Sequence, residues 1–597
     1  MVCMSNPGTT YSALLASHSA TFKKQNRTYN ILSFVRLGLF LLLVILLYFF
    51  FDNNDNSLVK YLVVCGLLFL VLIKVHEVFA FRKQTTEGLV KANEIELAYL
   101  NERECPFENG AHYLNPSHNY SFDLDFFGER TLYHHLNRAK TFSGKDALAN
   151  GLLTMLPNEK IKANQDAVKE LTDEIDWRQA LSALGAVVDD NEIAYKRLLI
   201  WSKGDVPALS GVMMGLSFVL PIAFIVASVL YAINLDPMVG NIATGLFIFN
   251  LGILSRHTKY FKTERIGIHK VDKIIRNYGL IIKHIEEKEF KSERLKKLQT
   301  RLNNKGKKSS ELIAQLSTLF GQIENMSNPL GLIIFNGSLL YHVHVLRIFS
   351  NWKKNNASEI ENWLDVIGEL EFLSCLANFS FNNPEFVYPE LNSSLNVEFE
   401  NLGHPLLNKA DRIDNSVSFN AQRFIILTGS NMSGKSTFLR SLGVNMVLGG
   451  IGSPLCSSKA SLHPLKVYTS MRVSDSLNEN ESYFFAEVKR LKQIMDELDK
   501  ETGFVLLDEI LRGTNSDDKR EGTVEVIKRI VAKKSVGAIA THDVLVCNTT
   551  AEYPDALSNQ CFEAEIVDDE LFFDYKLREG VCKNKSATFL MKKMGVI

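Results

Sequence analysis

The sequence lacks the C-x-x-C motif, since no two of its eight cysteines have that spacing. Neither a zinc site nor a disulfide framework is therefore indicated, which is typical of a protein in a reducing compartment. An excess of basic residues is also missing, since 66 lysines and arginines stand against 67 acidic residues. This balance argues against a globally basic nucleic-acid binder, while a local basic face stays open.

Charged residues are scarce in four apolar runs. Two of them, Ile31–Phe51 and Leu58–Ile73, lie near the N-terminus, and two, Ala208–Ile233 and Met238–Leu254, flank the turn-like segment Asn234–Pro237. Helices of this length and composition are typical of membrane spans. We predict four spans in two hairpins. The alternatives are buried core helices and, for the first run, a cleaved signal peptide.

Basic residues flank both hairpins on the side away from their turns. They are Lys23, Lys24, Arg27, Arg82 and Lys83 for the first hairpin and Lys196, Arg197, Lys203, Arg256, Lys259 and Lys262 for the second. By the positive-inside rule, both termini and all large segments are expected in the cytoplasm. The sequence therefore predicts a multi-pass protein of the cytoplasmic membrane.

A phosphate-binding loop is predicted in the stretch FIILTGSNMSGKSTFLR, which begins at Phe424. Gly429, Gly434, Lys435 and Ser436 fill the pattern G-x-x-x-x-G-K-[ST] between an apolar run and a helix start. Glycines let the backbone N–H groups turn inward, the lysine reaches the β- and γ-phosphates, and the serine hydroxyl binds Mg²⁺. The pattern predicts a nucleotide site.

Acidic residues follow a second apolar run, Phe504–Leu507, and a histidine follows a third, Val536–Ala540. Both runs are expected to be buried parallel strands beside the predicted strand Phe424–Thr428. Asp508 would then hold the Mg²⁺ shell, and Glu509 would orient or deprotonate the attacking water. His542 would sense the γ-phosphate, although a lone histidine is more often structural.

The order of TGSNMSGKSTFLR, DEILRGTNSDD and ATHD resembles the ATPase domain of the MutS family of DNA mismatch-repair proteins, a branch of the ABC-type ATPases. Further segments are similar to that family: LGHPLL at Leu402, VYTSMRVSDSL followed by ESYFFAEV, LNRAKTFSGKDALANGLL, and LDVIGELEFLSCLA at Leu364. The resemblance is strong after Leu402 and weaker from about Asp123 to that point.

This resemblance implies ATP and Mg²⁺ as cofactors and a homodimer with composite sites. It places Ser482 at the nucleotide of the partner subunit and Arg512, Gly513 and Thr514 at the dimer interface. The candidate site residues are Glu509 and His542 for catalysis, Gly429, Asn431, Gly434, Lys435, Ser436, Thr437 and Ser482 for the nucleotide, and Ser436 and Asp508 for the metal.

The predicted architecture is an α/β P-loop ATPase domain at the C-terminus, preceded by an all-α lever or core domain with two transmembrane hairpins. The predicted boundaries are 1–29 for an N-terminal segment, 30–81 for the first hairpin, 82–207 for the first part of the core, 208–254 for the second hairpin, 255–388 for the second part of the core, and 389–597 for the ATPase domain. Lys283–Lys308 is expected to form one exposed helix that ends in a basic turn.

The chain departs from the mismatch-repair pattern at its start. Phe127-Gly128-Glu129 spells the family's Phe-x-Glu wedge, but it lies where the helical core begins, so we interpret it as coincidence. No mismatch-reading domain is recognised, although double-stranded DNA remains a candidate partner.

Three functions stay open. The first is a membrane-anchored dimeric ATPase that moves helical levers, with DNA or a protein at the membrane as its object. The second is an ATP-driven, transporter-like machine, and the third is a tethered protein that binds mismatched DNA. The spans contain few charges and Pro221 is their one mid-span proline, so a polar pathway through them is not evident.

Overall fold

The computed structural model describes residues 6–53, 56–102, 104–188, 190–204, 211–304, 306–324, 329–472, 483–567 and 570–583. Helices dominate the first two thirds of the chain. They are α1 Pro7–Asn53, α2 Val59–Glu102, α3 Leu132–Leu136, α4 Phe142–Leu153, α5 Asn158–Asp173, α6 Ile175–Val187, α7 Glu192–Lys203, α8 Gly211–Asn234, α9 Pro237–Glu286, α10 Glu293–Thr300, α11 Ser309–Glu324, α12 Pro329–Leu339, α13 Tyr341–Asn356 and α14 Glu359–Asn382.

Strands and further helices alternate in the C-terminal third, after a short hairpin of β1 Asn303–Asn304 and β2 Lys307–Lys308 in the helical part. They are β3 Glu390–Leu391, β4 Val397–Leu402, β5 Asn415–Ser418, β6 Phe424–Gly429, α15 Lys435–Ile451, β7 Lys459–Leu462, β8 Lys466–Ser470, α16 Tyr483–Leu498, β9 Gly503–Asp508, α17 Ser516–Ala532, β10 Val536–Thr541, α18 Thr549–Glu552, β11 Leu557–Val567 and β12 Glu570–Glu579. The fold is thus helix-rich with an α/β C-terminal part, as predicted.

The larger sheet has the strand order β12-β11-β6-β10-β9-β8. Every pairing in it is parallel except that of β11 with β12. Every residue of β6, β9 and β10 is buried, which explains why these strands are continuous apolar runs in the sequence. The three strands predicted from those runs are confirmed. A smaller sheet, in the order β3-β7-β4-β5, lies beside the first.

Two helical hairpins carry large exposed apolar surfaces. Among the described helices, three are long and apolar enough to cross a membrane by length and composition: α1, α2 and α8. The apolar start of α9, Pro237–Ile253, is shorter. The predicted boundaries at 81/82 and 254/255 fall inside α2 and α9, so each hairpin shares a continuous helix with the helical core.

A buried polar network fixes the first hairpin on α14. The carboxylate of Glu96, on α2, accepts hydrogen bonds from Arg138 Nε at 2.5 Å and from Asn382 Nδ2 at 2.9 Å. The hydroxyl of Tyr11, on α1, lies 2.9 Å from Oδ1 of Asn382. Because both helices of the hairpin reach α14, the hairpin and the helical core are joined by satisfied polar contacts.

The start of α4 is held by a buried carboxylate on α14. Glu371 accepts hydrogen bonds from the backbone N–H groups of Lys140 and Thr141 and from the Thr141 hydroxyl at 2.6 Å. Burial raises the pKa of Glu371. The two helices approach closely at Gly368, where a Cβ atom would lie 2.6 Å from the backbone oxygen of Ser143. Glycine is required there for lack of space.

The fold bears on two predictions that were made from the sequence. Lys283–Lys308 does not form one exposed helix: α9 ends at Glu286, α10 follows with Leu295 and Leu298 buried, and the basic turn joins β1 to β2. The prediction was wrong because the many charged residues dominate the sequence of this region, although a few leucines at helical spacing form a buried apolar face. Phe127 is buried in the core, which agrees with our interpretation of Phe127-Gly128-Glu129 as coincidence.

Candidate nucleotide-binding site

The loop between β6 and α15 lies at the carboxyl end of the parallel strands, where open α/β sheets place their ligand crevices. Gly434 precedes α15 with φ 101°, a left-handed conformation that favours glycine. A Cβ atom at Gly429 would lie 2.7 Å from Ser433 Oγ and 2.9 Å from the Phe562 carbonyl oxygen. Both predicted glycines therefore stand where a side chain would be strained or obstructed.

Lys435 begins α15 and points back into the loop. Its Nζ donates to the carbonyl oxygens of Gly429 and Ser430, each at 2.9 Å. The side chain is buried, and burial lowers the pKa of Lys435, against the opposing effect of Glu509 and Asp508. The ammonium group thus sits within the loop, where a phosphate oxygen would meet it.

Asp508, the last residue of β9, receives the hydroxyl of Ser436. The distance from Ser436 Oγ to Asp508 Oδ2 is 2.6 Å, and Oδ1 of the same carboxylate is buried with no hydrogen-bond partner among the described residues. Burial raises the pKa of Asp508. A hydroxyl beside a buried carboxylate oxygen with free lone pairs is a donor set that Mg²⁺ takes together with phosphate oxygens. The predicted metal residues therefore fit the ion.

Glu509 and His542 form a close pair one residue beyond β9 and β10. His542 Nε2 lies 2.5 Å from Glu509 Oε1, and His542 Nδ1 lies 3.0 Å from the Gly429 carbonyl oxygen. Both ring nitrogens of His542 therefore face oxygen atoms. The hydrogen bond from His542 is the main cause that lowers the pKa of Glu509 to about 2. His542 therefore holds Glu509 ionised.

The segment after these acids is strained and is held by a glutamate on α16. Glu509 and Leu511 have φ values of 50° and 62°. The carboxylate of Glu487 accepts the backbone N–H of Leu511 at 2.7 Å and that of Arg512 at 3.0 Å. Glu487 is a positioning residue that the sequence reasoning missed, although it is the second glutamate of the quoted stretch ESYFFAEV.

A cavity of about 450 Å³ opens from the loop. Its lining includes the predicted residues Asn431, Gly434, Lys435, Ser436, Thr437 and Glu509, together with His404, Leu407, Ile413, Phe562 and Tyr575. This volume falls in the range of small-molecule sites. Burial lowers the pKa of His404 to about 4, so this side chain is uncharged at neutral pH. The predicted residue Ser482 lies outside the described residues.

The sequence model of MutS domain V matches residues 425–596. The C-terminal domain of this chain belongs to the MutS family. The chain is 29% identical to a DNA mismatch repair protein MutS of Clostridium perfringens over 256 residues, which cover 40% of this chain and 28% of that protein. It is 27% identical to the human MutS protein homolog 4 over 233 residues, 37% of this chain and 24% of that protein.

These relatives share only a part of their length with this chain. The matched parts cover about a quarter of each relative and are of domain size. The described hairpins α1–α2 and α8–α9 lie outside residues 425–596, which the model of MutS domain V matches.

Asp508→Asn is expected to stabilise the nucleotide-free protein at pH 8. The pKa of Asp508 is raised in the folded chain, so its ionised form costs stability at high pH, and this cost disappears as the pH falls below the ordinary value of 3.8. We expect the melting temperature to rise by about 2–4 °C, the shift that about 1 kcal/mol produces in a domain of this size. Thermal unfolding measured from pH 8 down to pH 4 should show the gain shrinking as the pH approaches 3.8.

The matched control is Asp555→Asn, since Asp555 is exposed. The contrary result is a melting temperature of the nucleotide-free Asp508→Asn protein below that of the wild type at pH 8. It would contradict the assignment of Asp508 as a buried carboxylate that binds a cation.

Proposed function

We propose that this protein is a membrane-anchored, dimeric, Mg²⁺-dependent ATPase of MutS type that couples ATP binding and hydrolysis to movement of helical levers. The observation that carries the proposal is the convergence of Lys435, Ser436, Asp508, Glu509 and His542 beside a cavity of nucleotide size. Each of these groups has the chemistry that phosphoryl transfer requires at that place.

Lys435 and the N-terminus of α15 would neutralise the phosphates, since the ammonium group and the first N–H groups of the helix lie at the loop. The hydroxyl of Ser436 and the carboxylate of Asp508 would hold Mg²⁺, which supplies charge neutralisation on the β- and γ-phosphate oxygens. The aromatic and apolar wall at His404, Leu407 and Tyr575 would receive the base.

Glu509 would orient the attacking water and accept its proton. A carboxylate with a pKa of about 2 is always ionised near pH 7, but it is a weak base while His542 donates to it. Lengthening of the contact between His542 and Glu509 would raise that basicity. His542 therefore acts as a positioning residue that sets how strongly Glu509 attracts the proton.

The levers are proposed from the continuity of α2 and α9. Each helix begins in an apolar hairpin and runs without interruption into the helical core. At 1.5 Å per residue such helices extend well beyond a hydrocarbon core of about 30 Å. A shift of the ATPase domains would thus be carried towards the membrane.

Double-stranded DNA at the membrane remains a candidate for the partner on which the levers act. A tethered mismatch-binding protein is the weaker alternative, because Phe127 is buried and the net charge is −1. The transporter-like alternative is disfavoured by the lack of charged residues in the described part of α8.

Glu509→Gln is expected to retain ATP binding and to lose at least about a hundredfold in turnover, the scale of a positioned base. Lys435→Ala should instead weaken nucleotide binding, because it removes the cation in the loop. Phosphate release and binding of a fluorescent nucleotide separate the two effects. Glu521→Gln, at an exposed position of α17, is the control. Wild-type turnover in Glu509→Gln would remove the catalytic assignment.

Composite sites predict complementation between two inactive chains. If Ser482 serves the nucleotide of the opposite subunit, a heterodimer of Lys435→Ala and Ser482→Arg chains keeps one intact site. We expect co-expressed chains, purified through two different tags, to regain part of the ATPase activity. A heterodimer as inactive as either homodimer would exclude the trans arrangement.

Membrane anchoring predicts on which side of the membrane the turn of the second hairpin lies. A cysteine in place of Asn234 should react with a membrane-impermeant maleimide from outside intact cells, and a cysteine in place of Lys259 should react only after lysis. The unsubstituted protein gives the background of its native cysteines. Protection of the Asn234→Cys position in intact cells would contradict the proposed topology.

A further inference from the structure

The helix α12 interrupts the helical core with a short apolar segment. It spans Pro329–Leu339, and its sequence, PLGLIIFNGSL, contains no charged residue. Four of its large apolar side chains are exposed: Ile333 by 45%, Ile334 by 57%, Phe335 by 53% and Leu339 by 40%. A contiguous apolar face of this kind on a soluble helix would mark an interaction surface.

This helix packs against the second hairpin. A Cβ atom at Gly337 would lie 2.3 Å from the ring of Phe247, so the absence of a side chain lets α12 approach α9 closely. The buried amide of Asn250 donates to the Gly337 carbonyl oxygen at 2.9 Å. Small residues and buried amides at helix contacts are typical of helices that associate in lipid.

The depth of that contact follows from helix geometry. About 20 Å of helix separates Pro237, at the hairpin turn, from Asn250, at a rise of 1.5 Å per residue. The hydrocarbon core is about 30 Å thick, so this contact falls within the cytoplasmic half of the bilayer if the turn lies outside. With a length of about 16 Å, α12 cannot cross the membrane.

Polar groups at the end of α12 are satisfied within the protein. The chain turns at Leu340, with φ 48°, and Asn336 Oδ1 accepts the backbone N–H of His342 at 3.0 Å. Asn336 Nδ2 lies 2.6 Å from His342 Nδ1, and both side chains are buried. A break in a helix at membrane depth requires such internal partners, because lipid offers none.

The next turn of α13 reaches polar surroundings. His344 Nε2 lies 2.9 Å from the carbonyl oxygen of Ser217, and the guanidinium of Arg347 lies 5.0 Å from the centre of the Phe218 ring. A long arginine side chain near the edge of the hydrocarbon core can extend its guanidinium to the interface. The first arginine or lysine after α12, the half-buried Arg347, thus lies beside Phe218 of α8.

We propose that α12 is a membrane-embedded half-helix, and that its face of Ile333, Ile334, Phe335 and Leu339 contacts the acyl chains of phospholipids in the cytoplasmic leaflet. This inference rests on the membrane anchoring proposed above. Lipid is favoured over a protein occupant because the face continues the exposed apolar surface of the hairpin, which includes Ile248 and Phe249. The second membrane unit then has three elements, and the lever α9 enters lipid beside α12.

Site-specific photocrosslinking of the full-length protein tests this inference. Benzoylphenylalanine is placed singly at Ile334, at Ile222 in α8 and at Ile193 in α7, which are exposed by 57%, 61% and 62%. Each protein is reconstituted into vesicles that contain a fluorescent phosphatidylcholine with a labelled acyl chain, and the adducts are separated on denaturing gels. We expect fluorescent lipid adducts at Ile334 and Ile222 in similar yield and none at Ile193.

The outcomes separate this inference from the anchoring proposal. A lipid adduct at Ile222 without one at Ile334 overturns the half-helix and leaves the hairpin in the membrane. A crosslinked dimer at Ile334 in place of the lipid adduct assigns the face to a second copy of the chain and also overturns the inference. Absence of lipid adducts at both positions overturns the anchoring proposal together with this one.

Discussion

The candidate site depends on the parallel pairing of three strands. In the register of the sheet, Thr428 of β6 lies opposite Thr541 of β10, and Ala540 of β10 lies opposite Asp508 of β9. The carboxyl ends of the strands therefore meet at one edge, and the residues that follow them are brought together although they are far apart in sequence. A slip of one residue in either pairing would displace Asp508 and Glu509 by about 3.3 Å along the strands and so separate them from Ser436 and His542.

Buried polar contacts connect the far end of the helix that follows the P-loop, α15, with the first hairpin. Asn164, on α5, donates to the carbonyl oxygen of Ile451 at the end of α15, and α5 packs against α14. From α14, Glu371 holds the start of α4, and Asn382 reaches the first hairpin through Glu96. Polar contacts in a buried setting are strong and directional. These contacts form a continuous path from α15 through α5 and α14 to the first hairpin.

Motif spacing predicted the P-loop, the acids after β9 and the histidine after β10. Each of them directly follows an apolar run that forms a buried strand, so the change from apolar to glycine, acidic or polar residues marks its position. The same reasoning missed Glu487, whose role depends on two backbone N–H groups that turn towards it only in the fold. It also missed α12, because a mostly apolar helix of 11 residues is shorter than a membrane span and resembles a core helix. The charged region Lys283–Lys308 was misread because a surface of mixed charge dominates its composition, although Leu295 and Leu298 are buried.

The strain around Glu509 gives α16 a direct influence on the reacting group. Positive φ values at two residues that are not glycine cost of order 1–3 kcal/mol each, so the turn persists because its surroundings hold it. Glu487 supplies two of the hydrogen bonds that hold it, from a helix that begins immediately after Ser482 in the sequence. A displacement of α16 would therefore alter the backbone at Leu511 and Arg512, and with it the position of Glu509 relative to His542. Since the hydrogen bond from His542 sets the basicity of Glu509, the same displacement would tune the base that we propose for hydrolysis.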